Sequence, residues 1–251
     1  MIQVKDSQPS FALKSAFLML LGSLMLGFVI TRTIYVYQKY HSVLDTVDVV
    51  EPAEIGEGPQ IILEDNTQIQ PEAAVAQANS QLQSYLIEEF EGDDGELNEY
   101  FEAIPEHIVI PSIDLDASIG YASLRDVKLF GDTYQQWVAP SDEVGWHYRS
   151  ALLGQSGNTV LNGHHNVMGE VFKDLFLVKE GDEILISSEE GEYTYRVVKV
   201  MILPERFESQ EVRLQNARWI QPSEDERITL ISCWPYESNT HRVVVVAFPA
   251  D

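Results

Sequence analysis

Between His107 and Phe248 the apolar residues fall in short runs, each bounded by turn-forming residues, and this pattern constrains the chain more than any other feature. His107-Ile108-Val109-Ile110 is stopped by Pro111, and Asn158 to Asn162 follows the turn signal Gly154-Gln155-Ser156-Gly157. Glu183 to Ser187 and Tyr193 to Leu203 flank a turn around Gly191. Arg227 to Cys233 and Arg242 to Phe248 complete the series, the last almost continuously apolar. Runs of this length and composition read as strands, and unbroken apolarity implies burial on both faces. Only Glu170 to Val178 reads as a short helix. Many short strands at this spacing argue for closure, which removes exposed sheet edges. The expected fold is therefore all-β: a closed barrel of about eight strands with short helices, over residues 104–251.

What precedes the barrel is different in kind. Between Lys39 and Arg125 there is no Lys or Arg, while Asp and Glu recur throughout. Together with Pro52, Pro59 and Pro71, this makes residues 39–103 an acidic linker that self-repulsion keeps extended. Within it, Glu72 to Phe90 has a helix-compatible composition, able to pack on the barrel or to lengthen the stalk. Ahead of the linker, Ala16 to Thr31 is apolar, and the segment from Phe11 to Tyr37 exceeds the roughly 20 residues a bilayer span requires. Arg32, Tyr35 and Tyr37 stand where a signal peptide would carry small residues, which favours an uncleaved anchor. The expected order is a cytoplasmic tail at 1–14, a transmembrane anchor at 15–38, the extracytoplasmic linker and the barrel domain. The chain's 40 acidic and 16 basic residues give a net charge of -24, which repels nucleic-acid phosphates and anionic headgroups alike.

Cys233 is the only cysteine, so an intramolecular disulfide and a cysteine-rich metal site are both excluded. It ends the strand Ile228-Thr229-Leu230-Ile231-Ser232-Cys233, and Arg242 opens the next. If the two strands pair as a hairpin, these residues face each other at one rim. His164 follows Gly163 at the end of the Thr159 to Asn162 strand and would join them if that strand ends at the same rim. The three types suit acyl transfer. A thiolate attacks, an imidazole takes and returns the proton, and a guanidinium stabilises both the thiolate and an oxyanion. His165 competes with His164 for the role of base and otherwise lines the site. Trp234 and Tyr236 are candidate groove residues in the following loop, where aromatic packing is the alternative. His107 and His147 read as structural or exposed. The acids Glu205, Glu208, Glu211, Glu224, Asp225 and Glu226 read as a solvated connection, and neither a metal nor a cofactor is expected.

Gly163-His164, Thr229-Leu230-Ile231-Ser232-Cys233 and Arg242, in this order, resemble the signatures of the sortase family of cysteine transpeptidases. The resemblance covers residues 104–248, and Gly157-Asn158-Thr159-Val160 and Gly181-Asp182 add to it. Ser232 stands where the family usually has Thr, and Asn162 where many members have Ala or Ser. Non-pilin housekeeping types are the nearest subclass. The resemblance implies Cys233 as nucleophile, His164 as general acid and base, and Arg242 as stabiliser. It also implies cleavage of an LPxTG-like C-terminal sorting signal on exported proteins. The acyl chain would then pass from the thioester to an amine of the cell envelope, on a peptidoglycan precursor or a pilin lysine. A peptidase hydrolysing the same intermediate and a non-catalytic peptide-binding module are the alternatives.

Overall fold

The computed structural model describes residues 102–250 continuously, together with Met25, Ile30, Thr31, Gln77, residues 80–82, Ser84, Tyr85 and Tyr100. The chain divides into two units, Met1–Thr46 and Val47–Asp251. In the first, Met25, Ile30 and Thr31 are helical, and the rest of the expected anchor lies outside the described residues. No helix among the described residues is long and apolar enough to cross a membrane. Most of the expected linker also lies outside them.

Among the described residues the second unit holds ten strands: β1 (His107–Ile110), β2 (Leu115–Tyr121), β3 (Ser123–Leu129), β4 (Asp132–Val138), β5 (Val144–Trp146), β6 (Gly157–Asn162), β7 (Glu183–Ser187), β8 (Glu192–Pro204), β9 (Glu226–Trp234) and β10 (His241–Pro249). Eight of them close a barrel in the order β1-β2-β5-β6-β9-β10-β8-β7, with β7 pairing back onto β1. β3 and β4 form a separate hairpin. The barrel and its strand number agree with the expectation from the sequence. Within it β6 runs parallel to β9, whereas β9 and β10 are antiparallel. The carboxyl ends of β6 and β9 and the amino end of β10 therefore meet at one rim.

Two local expectations are corrected. Glu170 to Val178 is not one helix but lies across two 3-10 turns, Met168–Glu170 and Leu175–Leu177. Met168, Gly169 and Glu170 all have positive φ (49°, 81° and 52°), which right-handed helical propagation does not tolerate. Second, the connection between β8 and β9 is not merely a solvated acidic loop. It carries the Gln210–Asn216 helix, capped by Ser209, whose hydroxyl accepts from Val212 N, and it runs on into a 3-10 turn at Ala217–Ile220.

Side chains alternate along a strand, so one set of β-strand residues shares a face. Val160, Met201, Leu203, Ile231, Val244 and Val246 form such a set, buried together with Ile220 and packed by Trp137 and Trp219. The hairpin residue Trp137 and the connection residues Trp219 and Ile220 thus cover this face. Asn158 fastens the cover. Its Nδ2 donates to the Trp219 and Gln221 carbonyls at 3.0 Å each, while its Oδ1 accepts from Thr229 Oγ1 at 2.8 Å.

The described residues of the Glu72 to Phe90 segment are helical and pack on the barrel domain. Leu82 is buried, and the Tyr85 ring lies 5.6 Å from that of Tyr148. The Gln81 amide pairs with both backbone groups of Leu124, donating to its O and accepting from its N at 2.7 Å each. This segment therefore anchors the start of the β3–β4 hairpin.

Candidate active site

The site begins with strand register. In the β9–β10 ladder Cys233 is paired directly with Arg242. In the parallel β6–β9 ladder the last pair is Asn162 with Ile231. Beyond it, Gly163 N donates to Ile231 O at 3.1 Å, and Ser232 Oγ donates to Gly163 O at 2.9 Å. Extended two residues past its last pair, that register would bring His164 level with Cys233. Neighbouring strands lie about 4.8 Å apart; β9 and β10 carry the thiol and the guanidinium as a direct pair, and the imidazole follows just past the end of β6. By alternation Cys233 and Arg242 belong to the face that bears Ile231 and Val244.

Gly163 makes this approach possible through its lack of a side chain rather than an unusual φ. A Cβ there would stand 2.6 Å from Phe172 Cδ2 and 2.9 Å from Val171 Cγ1. The Ser232 hydroxyl, in place of the expected Thr, is consumed in holding β9 to the Gly163 carbonyl.

His164 is half-buried, and its Nε2 lies 3.3 Å from the Ala139 carbonyl oxygen. A carbonyl only accepts, so in the neutral ring Nε2 carries the hydrogen and Nδ1 is left as the acceptor. Burial lowers the His164 pKa, against the opposing pull of the Ala139 carbonyl and the Asp142 carboxylate. At neutral pH this imidazole is uncharged and able to accept a proton. Cys233 is half-buried at the end of β9.

Arg242 is 2% exposed, with Nη1 donating to the His241 carbonyl at 3.0 Å. The Glu205 carboxylate beside it is equally enclosed, at 1% exposure. The expectation of a solvated acid thus fails for Glu205. Nothing in a run of scattered carboxylates distinguishes the one that tertiary packing encloses. A faint signal was available: Glu205 directly follows the apolar strand end Ile202-Leu203-Pro204.

Of the other candidates, His165 is 1% exposed, with its ring tilted edge-on to Phe176 and Tyr236 at 6.2 and 5.6 Å. Trp234 is buried and packs edge-on to His241. Tyr236 is exposed in the β9–β10 loop, where its hydroxyl donates to Glu170 Oε1 at 2.6 Å and its carbonyl accepts from Asn166 Nδ2. Asn239 Nδ2 adds a bond to Asn166 Oδ1 at 3.1 Å, so this loop is clasped to the loop after His164. His107 is half-buried and pairs with Asp116, whereas His147 is buried and stacked on Trp137. Among the described residues no cluster of His, Cys, Asp and Glu could hold a metal ion.

A thiol paired with an arginine at a barrel rim, with a histidine just past the neighbouring strand, brings together the group types that acyl transfer uses. Residues 108–250 match the family model described as the sortase domain. The chain belongs to the sortase family. It is 35% identical over 140 residues to sortase A of Bacillus anthracis, a match covering 55% of this chain and 56% of that protein. The match thus spans little more than half the length of that relative. Among solved structures, sortase C-1 from Actinomyces oris aligns at 21% identity and a TM-score of 0.48, over 86% of this chain and 98% of that one. Sortase A from Corynebacterium diphtheriae, a lid mutant, aligns at 21% identity and a TM-score of 0.46, over 72% and 94%.

Proposed function

We propose that this protein is a membrane-anchored cysteine transpeptidase that cleaves an LPxTG-like sorting signal on exported proteins and passes the acyl chain to an amine of the cell envelope. The observation that supports this reading is the pairing of Cys233 with Arg242, beside a parallel strand that runs on into Gly163-His164. Cys233 Sγ attacks the carbonyl carbon of the scissile peptide while its proton passes to His164. The tetrahedral oxyanion is met by Arg242. Collapse breaks the C–N bond, His164 returns the proton to the departing amine, and a thioester to Cys233 remains. An incoming amine then attacks the thioester carbonyl, loses its proton to His164, and restores the thiol. The apolar segment at 15–38 supports attachment to the membrane, with the barrel on the extracytoplasmic side.

The sulfur, not the general shape of the groove, is the decisive group. Replacing Cys233 with Ala is expected to abolish the covalent adduct that mass spectrometry detects after incubation with a Leu-Pro-Glu-Thr-Gly peptide. Cleavage persisting in C233A would refute the mechanism. With the intact enzyme, addition of triglycine is expected to divert product from the free acid to the amide. An exclusively hydrolytic product would establish a peptidase instead.

A further inference from the structure

The β8–β10 ladder pairs Arg242 with Leu203, and it continues through Glu205 N donating to Thr240 O at 2.9 Å. Glu205 lies two residues beyond Leu203, so its side chain shares a face with Leu203 and Arg242. Diagonal neighbours of this kind lie about 7–8 Å apart, within reach of two long side chains. Glu205 is also held from its other side. Its Oε1 accepts from Arg213 Nε at 2.9 Å, and its Oε2 accepts from Asn216 Nδ2 at 3.2 Å. Asn216 Nδ2 also donates to the Pro204 carbonyl at 2.6 Å. All four side chains are buried.

We propose that Glu205 is the positioning residue that orients the Arg242 guanidinium toward the rim, and that the Gln210–Asn216 helix fixes Glu205 for that task. The proposal rests on the transpeptidase reading above, in which Arg242 meets the oxyanion. Its physical basis is the cost of a loose cation. A buried guanidinium without a fixed counter-charge either draws in water or swings toward another acceptor. A carboxylate already bonded by Arg213 and Asn216 cannot follow such a swing, so it gives Arg242 one preferred direction. Burial pushes the Glu205 carboxyl up, and the Arg242 guanidinium is the first influence holding it down, ahead of Arg213. That ordering agrees with the shared face and with a carboxylate serving two arginines. Arg213 also lies over the ring of Phe130 at the tip of the β3–β4 hairpin, 5.8 Å from its centroid. Hairpin, helix and carboxylate thus form one support behind Arg242.

The test is a double-mutant cycle on the intact chain, using the Leu-Pro-Glu-Thr-Gly peptide as probe and rates normalised to titrated Cys233 thiol. Glu205→Gln is expected to lower kcat about tenfold, as expected of a misplaced transition-state donor, with little change in KM. In an Arg242→Ala background the same substitution is expected to change kcat by no more than about twofold. A purely structural role would lower the melting temperature and the titratable thiol without this dependence on Arg242. Equal losses from Glu205→Gln in both backgrounds would overturn the proposal, as would full activity in the single variant. Wild-type turnover by Arg242→Ala alone would instead remove the role assigned to Arg242, and the proposal with it. If Glu205→Gln shows no cooperative melt, Glu205→Asp replaces it in the cycle. It keeps the charge but withdraws it by one methylene, and the same two outcomes decide.

Discussion

At the level of single residues, the chemistry depends on which proton each group holds at rest. The Ala139 carbonyl assigns the hydrogen of His164 to Nε2, and burial keeps the ring neutral despite the nearby Asp142 carboxylate. Asp142 raises the His164 pKa, so removing its charge must lower it further. Asp142 has φ 61°, a left-handed conformation that Asn adopts readily, which makes Asp142→Asn a conservative change. The acid limb of the kcat/KM profile is expected to move to lower pH in D142N. A limb that stays in place or moves up would exclude this coupling. Cys233 and Gly163-His164 were legible because their neighbours in sequence carry the signal. Glu205 was not, because its burial depends on the fold of the following segment 213–216 back onto it and on the distant strand bearing Arg242.

Elements bring those residues together, and here the sequence was read unevenly. Strands β1 and β6 to β10 were legible because their apolar residues are dense and their ends are punctuated. β2, β3 and β4 were missed. Leu115-Asp116-Ala117-Ser118-Ile119-Gly120-Tyr121 and Asp132 to Val138 contain Asp, Gly, Ser and Gln, which disfavour strands when read alone. They are strands because β2 finds partners in β1 and β5, and β3 in β4, so that backbone pairing overrides local preference. β5 spans only Val144–Trp146, too short to leave a pattern. The clamp at Asn158 belongs to the same scale. Asn158→Ala removes the donor to two carbonyls and orphans the buried Thr229 hydroxyl, a cost of about 1–3 kcal/mol. The variant is expected to melt at lower temperature and to expose amides of residues 217–221 to faster hydrogen exchange. Unchanged exchange there would show that Asn158 does not hold the cover.

For the whole molecule, a buried imidazole, His147, ties stability to pH. His147 is stacked on Trp137 at 4.4 Å, and its Nε2 has no hydrogen-bond partner among the described residues. Burial pushes its pKa down from 6.5 to about 3. Below pH 6.5 the unfolded chain takes up a proton here that the folded chain refuses until about pH 3. Stability is therefore lost as pH falls through this window, at a limiting slope of about 1.4 kcal/mol per pH unit from this one group. His147→Phe preserves the stack on Trp137 and removes the titration. Its melting temperature is expected to fall less steeply than that of the wild type between pH 6.5 and 4. Parallel curves would place the acid sensitivity elsewhere.

By itself the sequence determined that the C-terminal part of the chain would close into a barrel, since dense apolar strands with frequent turns have few other ways to bury their faces and edges. It also marked the rim, because Gly163-His164, the strand ending in Cys233 and the strand opening with Arg242 are local signals. Only the tertiary structure decided that β6 runs parallel to β9, the relation that brings the His164 end of β6 to Cys233. Only it selected Glu205 from the surrounding acids and put it behind Arg242. Periodicity records which face of a strand is buried, but not which distant strand lies beside it. That choice is made by packing across the whole barrel, where strands far apart in the chain become neighbours.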